Sequence, residues 1–393
     1  MSDLQVILEE TLKKPSPYGE DVDIGSFIRS KVRDEDISAD DRERMSDVGM
    51  EESGSGKSGS FIQYDQRVLE SLSKIEGLTV MSIEKAREEG LIEGLEWTLV
   101  SPDKDKYTAS ARLNRPNGYF IHVTGKVPFP FQSCLFMGTQ KGVQYVHNII
   151  KLEEGASLDM ITGCTTGKKI EKGLHIGITE IFIGKDATLN YTMLHEWGDE
   201  LYVRPRTGVV IEDRGNYTSN YISLHKVRSV QMYPKVVLKG SKASTQMNSI
   251  IIAPEGSELD VGGEVILEGE GSNAEIISRT VSSGGRSIAR GRLWGKASKI
   301  AAHLECNGIF LSEDGLIHAV PELASEKQDV DMSHEASVGK VAMEQVEYLM
   351  TRGLTEQEAT SLIIRGFLQP TIKGLPERIM EQVNRILESD EGL

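Results

Sequence analysis

Cysteine, histidine and glutamate at a few positions give this 393-residue chain the means to hold a metal. Cys306 lies in ECNGIF, His334 and Glu335 lie in DMSHEAS, and Cys164 lies in ITGCTTG. Thiolate, imidazole and carboxylate are the ligand types of iron and zinc centres. An adjacent His and Glu on one strand project to opposite faces, whereas at a strand-to-helix junction both can face one site. In a solenoid, residues distant in sequence stack side by side, so Cys164, Cys306 and the His334–Glu335 pair can line one end. The plainer alternatives stay open on spacing alone: a single cysteine as a small buried hydrophobe, and a His-Glu pair as capping and solvation. Cys134 is read as core. Of the remaining histidines (His122, His147, His175, His195, His225, His303 and His318), all are read as hydrogen-bonded structural groups except His303, notable for lying three residues before Cys306. Nothing local pairs Cys164 or Cys306 with a base, so a covalent triad is unsupported.

One stretch imitates a nucleotide-binding loop. ESGSGKSGS, residues 52–60, ends in Gly56, Lys57 and Ser58, the last three residues of the phosphate-cradling pattern. Glu51 stands where that pattern needs its first glycine, and its carboxylate would repel phosphate. The following FIQYDQ reads as a short strand, not as the required helix. A Gly/Ser surface loop is expected, and no ATPase activity in this chain.

The formal net charge of −16 disfavours nucleic acid and anionic membranes as partners. No apolar run approaches the ~20 residues needed to span a bilayer. The start, MSDLQVILEETLKK, is amphipathic and acidic, unlike a signal peptide, so a cytoplasmic location with free thiols is expected.

Three regions position these residues. Residues 1–95 carry helix-type periodicity, as in QVILEETL and QRVLESLSKI. Residues 96–325 are dominated by short strands such as YFIHVTG, TLNYTML and EVILEG. Turn glycines recur at 155, 184, 215, 240, 256, 271 and 285, spaced by one or two units of about 15. A strand–turn unit without hairpin signals points to a solenoid whose coils bury one another's faces, with a β-sandwich as the alternative. Residues 326–393 read as helical: EASVGKVAMEQVEYLMTRG ending at Gly353, then LTEQEATSLIIRGFL opened by a Thr355–Glu358 capping box, then LPERIMEQVNRILE. Leu362, Ile363 and Phe367 cluster on the middle helix, either to pack on the solenoid or to dock a partner.

Residues 331–368, DMSHEASVGKVAMEQVEYLMTRGLTEQEATSLIIRGFL, resemble the C-terminal signature of the SufB/SufD family of SUF iron–sulfur cluster assembly proteins. Residues 154–197, with Gly-Cys-Thr, Leu-His and a terminal Trp, are similar to that family's first core segment. The resemblance implies a right-handed parallel β-helix flanked by helical N- and C-terminal domains. It implies a scaffold, not an enzyme, that carries a transient iron–sulfur cluster and forms a dimer through the β-helix. Its partners would be a SufC-type ABC ATPase, docked on Leu362, Ile363 and Phe367, a sulfur donor and apo-protein acceptors. Cys164 and Cys306 match the cysteines of the SufB branch. By resemblance Cys164 receives sulfur, Cys306 holds the nascent cluster with His334 and Glu335, and Trp197 lines the route between the cysteines. The chain departs from bacterial SufB at Ser333, at His195, and at Phe136 and Gly138, which replace polar residues. These departures fit a shorter homodimeric scaffold of archaeal or anaerobic type that takes sulfur from sulfide. A SufD-like subunit that binds the ATPase but no cluster is the alternative. A secreted β-helix carbohydrate enzyme would need a carboxylate cluster on one face.

Overall fold

The computed structural model describes residues 3–29, 37–50 and 56–368. Its centre is a parallel β-solenoid of two facing sheets, twelve- and ten-stranded. The ten-stranded sheet runs in spatial order from Val330–Lys340 through Ile300–Phe310, Asn273–Ser283, Ser244–Pro254, Asn216–Ser223, Thr188–Glu196, Ser157–Thr166 and Phe131–Met137 to Gly59–Tyr64 and Arg67–Ser73. All its pairings are parallel except the hairpin of the last two strands. Alternate residues of each strand point inward, so one continuous apolar column fills the interior, from Phe61 and Phe131 to Leu304 and Cys306.

The coil repeat is built at one corner. Gly155, Asp186, Arg214, Lys242, Gly271 and Lys299 all have positive φ, between 54° and 72°, and follow one another every 28–31 residues. Their amides are joined coil to coil: Asp186 N donates to Asp213 O, Arg214 N to Ser241 O and Lys242 N to Glu270 O, each at 2.9 Å. The true unit is therefore a two-strand coil, and the expected 15-residue spacing is about half of it. Four of these left-handed positions carry charged side chains, and three of them link adjacent coils. Arg214 grips Asp186 through two bonds of 2.7 Å, and Lys299 reaches Glu270 at 2.6 Å.

Among the described residues, six α-helices accompany the solenoid: α1 (Asp3–Thr11), α2 (Ala39–Asp47), α3 (Ile83–Glu88), α4 (Lys106–Leu113), α5 (Met343–Met350) and α6 (Glu356–Leu368). Ser38 caps α2 by accepting from the Asp41 amide. The α6 capping box forms: Glu358 N donates to Thr355 Oγ1 and Thr355 N donates to Glu358 Oε2. Both α2 and α6 lie on the outer face of the ten-stranded sheet, in one apolar cluster with Phe136, Ile161, Leu194, Ile222, Ile250 and Val281. On the other sheet, Tyr107 and Ala111 of α4 pack on Val143, Leu174 and Ile178.

Two segments differ from the sequence reading. QVILEETL is helical, but Arg67–Ser73 of QRVLESLSKI is a strand paired antiparallel with Gly59–Tyr64. Its V-L-x-x-L spacing satisfies both periods, and pairing to Gly59–Tyr64 decides it. The chain also does not return to helix at residue 335: Val330–Lys340 is the last coil strand, and helix begins at Met343. The backbone of Ile300–Phe310 offers a free ladder there, and small residues such as Ala336 and Ser337 accept it. The surface loop expected over residues 52–60 is also corrected at its end: residues 57–60 are buried, because Gly59–Tyr64 is a strand that starts inside the Gly/Ser stretch and pairs with Phe131–Met137. Residues 51–55 and the third C-terminal helix expected near residues 375–388 lie outside the described residues.

Candidate functional site

Cys164 and Cys306 both project into the solenoid from the ten-stranded sheet. Cys164 is in register with Leu135 on one side and His195 on the other. Cys306 is in register with Ser278, then Ser249, Tyr221, Met193 and Thr162 on successive strands. The two thiols therefore sit five strand spacings apart, roughly 24 Å at the ~4.8 Å interval of a sheet, and offset by one inward position. The row between them is unusually polar for a core. A narrow void of about 40 Å³ runs beside Met193, Tyr221, Ser249 and Ser278. The Ser278 hydroxyl is buried without a partner.

An aromatic group encloses the Cys164 end. His195 Nδ1 lies 3.0 Å from the Tyr221 hydroxyl, and Trp197 packs on His175 and His195 with ring centroids 5.0 and 5.5 Å apart. The Trp197 indole N–H has no acceptor among the described residues. Burial pushes His175 down to about 3 and His195 well below the ordinary range, so both rings are neutral. Burial likewise raises the Cys164 thiol well above its usual value. Cys306 is pushed up to about 11, by burial first and then by the neighbouring Glu305 carboxylate. Both sulfurs are thus protonated at neutral pH, and a thiol must lose its proton before it attacks or ligates.

The structure separates the expected ligands of the second cysteine. His334 pairs with Leu304 and shares the face of Cys306, which pairs with Ala336. Glu335 projects from the opposite face, beside Glu305. Both are exposed, because Val330–Lys340 has a partner on one side only and ends the sheet. His303 also faces outward, with Nδ1 2.9 Å from the Ser333 hydroxyl. Among the described residues, no three His, Cys, Asp or Glu side chains are arranged to hold a metal ion. Cys134 is fully buried in the outer cluster beneath α2.

On α6, Leu362 is exposed and Ile363 half-buried, while Phe367 packs partly on the sheet. Exposed Met343, Tyr348 and Met350 on α5 accompany Leu362. Sequence reasoning missed Arg279, whose guanidinium lies 5.4 Å over the Phe367 ring and 2.5 Å from Glu305. No local motif marks it, because both contacts join elements distant in sequence.

A parallel β-solenoid with two interior cysteines and a C-terminal helical pair defines the class, and comparison with known proteins gives the family. The profile of the SUF system FeS cluster assembly SufBD core domain matches residues 135–367. An iron–sulfur cluster assembly SufBD family protein of Archaeoglobus fulgidus is 44% identical over 89% of this chain and 95% of its own length. One from Methanothermobacter thermautotrophicus is 38% identical over 97% of this chain and 96% of its own, and one from Pyrococcus horikoshii is 29% identical over 83% and 73%. The chain belongs to the SufBD family of iron–sulfur cluster assembly proteins. No helix among the described residues is long and apolar enough to cross a membrane.

Proposed function

We propose that this chain is a SufB-like scaffold on which an iron–sulfur cluster is built and from which it is passed on, with ATP hydrolysed by a SufC-type ABC ATPase docked at α5 and α6. The observation that carries this reading is the pair of interior thiols, Cys164 and Cys306, on one sheet with a row of hydroxyls between them. Cys164, as thiolate, takes the outer sulfur of a donor persulfide at the aromatic end, and the donor thiolate leaves. Cys306 meets iron one strand in from the end of the solenoid, with His334 on its face. Glu335, on the other face, joins only after the last strand rearranges. Stable clusters usually take four thiolates, and one chain offers too few near Cys306. A second copy, paired through the free edge of Val330–Lys340, would supply the remaining ligands, and mixed ligation favours release. Both thiols are buried and protonated, so binding of the ATPase must open the Cys306 end, a population shift driven by nucleotide state.

The absence of a preformed ligand group among the described residues favours one second reading, a SufD-like subunit that binds the ATPase without a cluster. Anaerobic co-purification with the ATPase, reconstitution with iron and sulfide, and Mössbauer spectra separate the two. A cluster lost in Cys306→Ser supports the scaffold. No cluster in the unaltered chain leaves the structural role.

A further inference from the structure

The outer face of the twelve-stranded sheet, away from both cysteines, carries a pocket of about 350 Å³. Its charge runs against that of the chain. Lys104, Arg206, Lys235, Arg290 and Arg292 line it against Asp105, Glu264 and Glu322, in a protein of formal net charge −16. Most of these charges are already matched. Arg206 donates to Asp105 at 2.6 Å, Arg290 to Asp260 at 2.7 Å, and Arg292 lies 3.2 Å from Glu264. On adjacent strands Lys235, Glu264, Arg292 and Glu322 stand in register as an alternating ladder.

Two cations are left over. Among the described residues, neither the Lys104 nor the Lys235 ammonium has a hydrogen-bond acceptor or a carboxylate within ion-pair distance, although both line the pocket. Lys104 is exposed at the rim, yet desolvation by surrounding protein lowers its pKa, with the like charges of Arg206 and Lys235 adding to the fall and Asp105 and Glu264 opposing it. Gln231 also lines the pocket and is buried to 4% exposure. Its Oε1 accepts from Arg206 Nη2 at 2.8 Å and from Ser16 Oγ at 3.2 Å, and its Nε2, a donor, has no acceptor among the described residues. Two unmatched ammoniums and one unmatched buried N–H around a single cavity are a set of donors without an acceptor.

We infer that this pocket binds a small phosphate-bearing anion, held by Lys104, Lys235 and Gln231 Nε2. Carboxylates already answer the arginines, so the anion adds to a matched network and does not break one. The pocket volume admits a diphosphate or a compact phosphoester and excludes a folded chain.

The test is calorimetric titration of the full chain with inorganic pyrophosphate at low and moderate salt, with inorganic phosphate in a parallel series. The expected result is saturable one-site binding of pyrophosphate, with Kd tighter than about 1 mM. Affinity should fall at least about tenfold in Lys104→Ala/Lys235→Ala. Both lysines are exposed, so the variant should keep the thermal midpoint of the parent. A second variant, Lys104→Glu, should abolish binding. Absence of binding in the unaltered chain overturns the inference, as does pyrophosphate binding that survives both variants. Phosphate binding as tightly as pyrophosphate, lost in the same variants, supports the site and limits its ligand to one phosphoryl group.

Discussion

Arg279 holds Glu305 at 2.5 Å, and Glu305 is the residue directly before Cys306. The same guanidinium lies over the Phe367 ring of α6. One side chain therefore touches both the C-terminal helix pair and the strand that carries the second thiol. The Glu305 carboxylate is one of the two causes that raise the Cys306 thiol to about 11. Neutralising it in Glu305→Gln should lower that pKa and speed alkylation of Cys306 at pH 8. Arg279→Ala should act in the opposite sense, since it leaves the Glu305 charge unmatched. Peptide-resolved alkylation rates against pH check both. Equal rates in the two variants would show that the carboxylate does not govern the thiol.

Glu196 couples α2 to the end of the Thr188–Glu196 strand, 2.5 Å from Arg44. Burial raises its pKa from 4.5 to about 7, with Asp47 adding to the rise and Arg44 opposing it. The native carboxyl thus holds its proton where the unfolded one has lost it. Folding stability should fall as pH rises from about 4.5 through about 7, by on the order of 3 kcal/mol. Glu196→Gln should flatten that part of the profile. Urea midpoints between pH 5 and pH 8 provide the measurement, and an unchanged slope in the variant would refute the assignment.

Gly163 precedes Cys164 and lies under the segment after α2. A Cβ there would meet the Val48 carbonyl oxygen and Cγ2 at 2.4 Å. Gly163→Ala should cost about 1–3 kcal/mol by forcing that segment outward. Proteolysis near Met45 should accelerate in parallel. A variant as stable and as resistant as the parent would mean that Val48 can move freely.

Glu180 is fully buried and accepts from Trp97 N at 2.6 Å, Leu99 N at 2.7 Å, Val100 N at 3.2 Å and His147 Nε2 at 2.8 Å. Glu180→Ala strands four donors and should destabilise by at least about 3 kcal/mol. Trp97 fluorescence should shift to the red as its loop detaches. Loss of stability without that shift would place the damage elsewhere.

The solenoid was legible because turn residues recur between short strands with no hairpin signal. Its period was not, because Asp186, Arg214, Lys242 and Lys299 occupy left-handed positions where glycine is the usual sign. The last coil was hidden for a different reason. Val330–Lys340 is exposed along most of its length, so it lacks the apolar alternation that identifies a strand. The cysteines could be named from their types and from resemblance, and their shared interior face follows only from register. Lys104 and Lys235 carry no motif, since their meeting depends on a loop crossing a sheet far away in sequence.

The stacked coils act as a ruler. The separation of Cys164 from Cys306 can change only in graduations of about 4.8 Å, one per coil, because a whole coil added or removed leaves every later residue facing as before. A single residue inserted within an intervening strand does something else: it turns the remainder of that strand inside out. Length variation among such chains should therefore accumulate at the corners, or arrive in blocks of about one coil, while the strands that mark the distance keep their count.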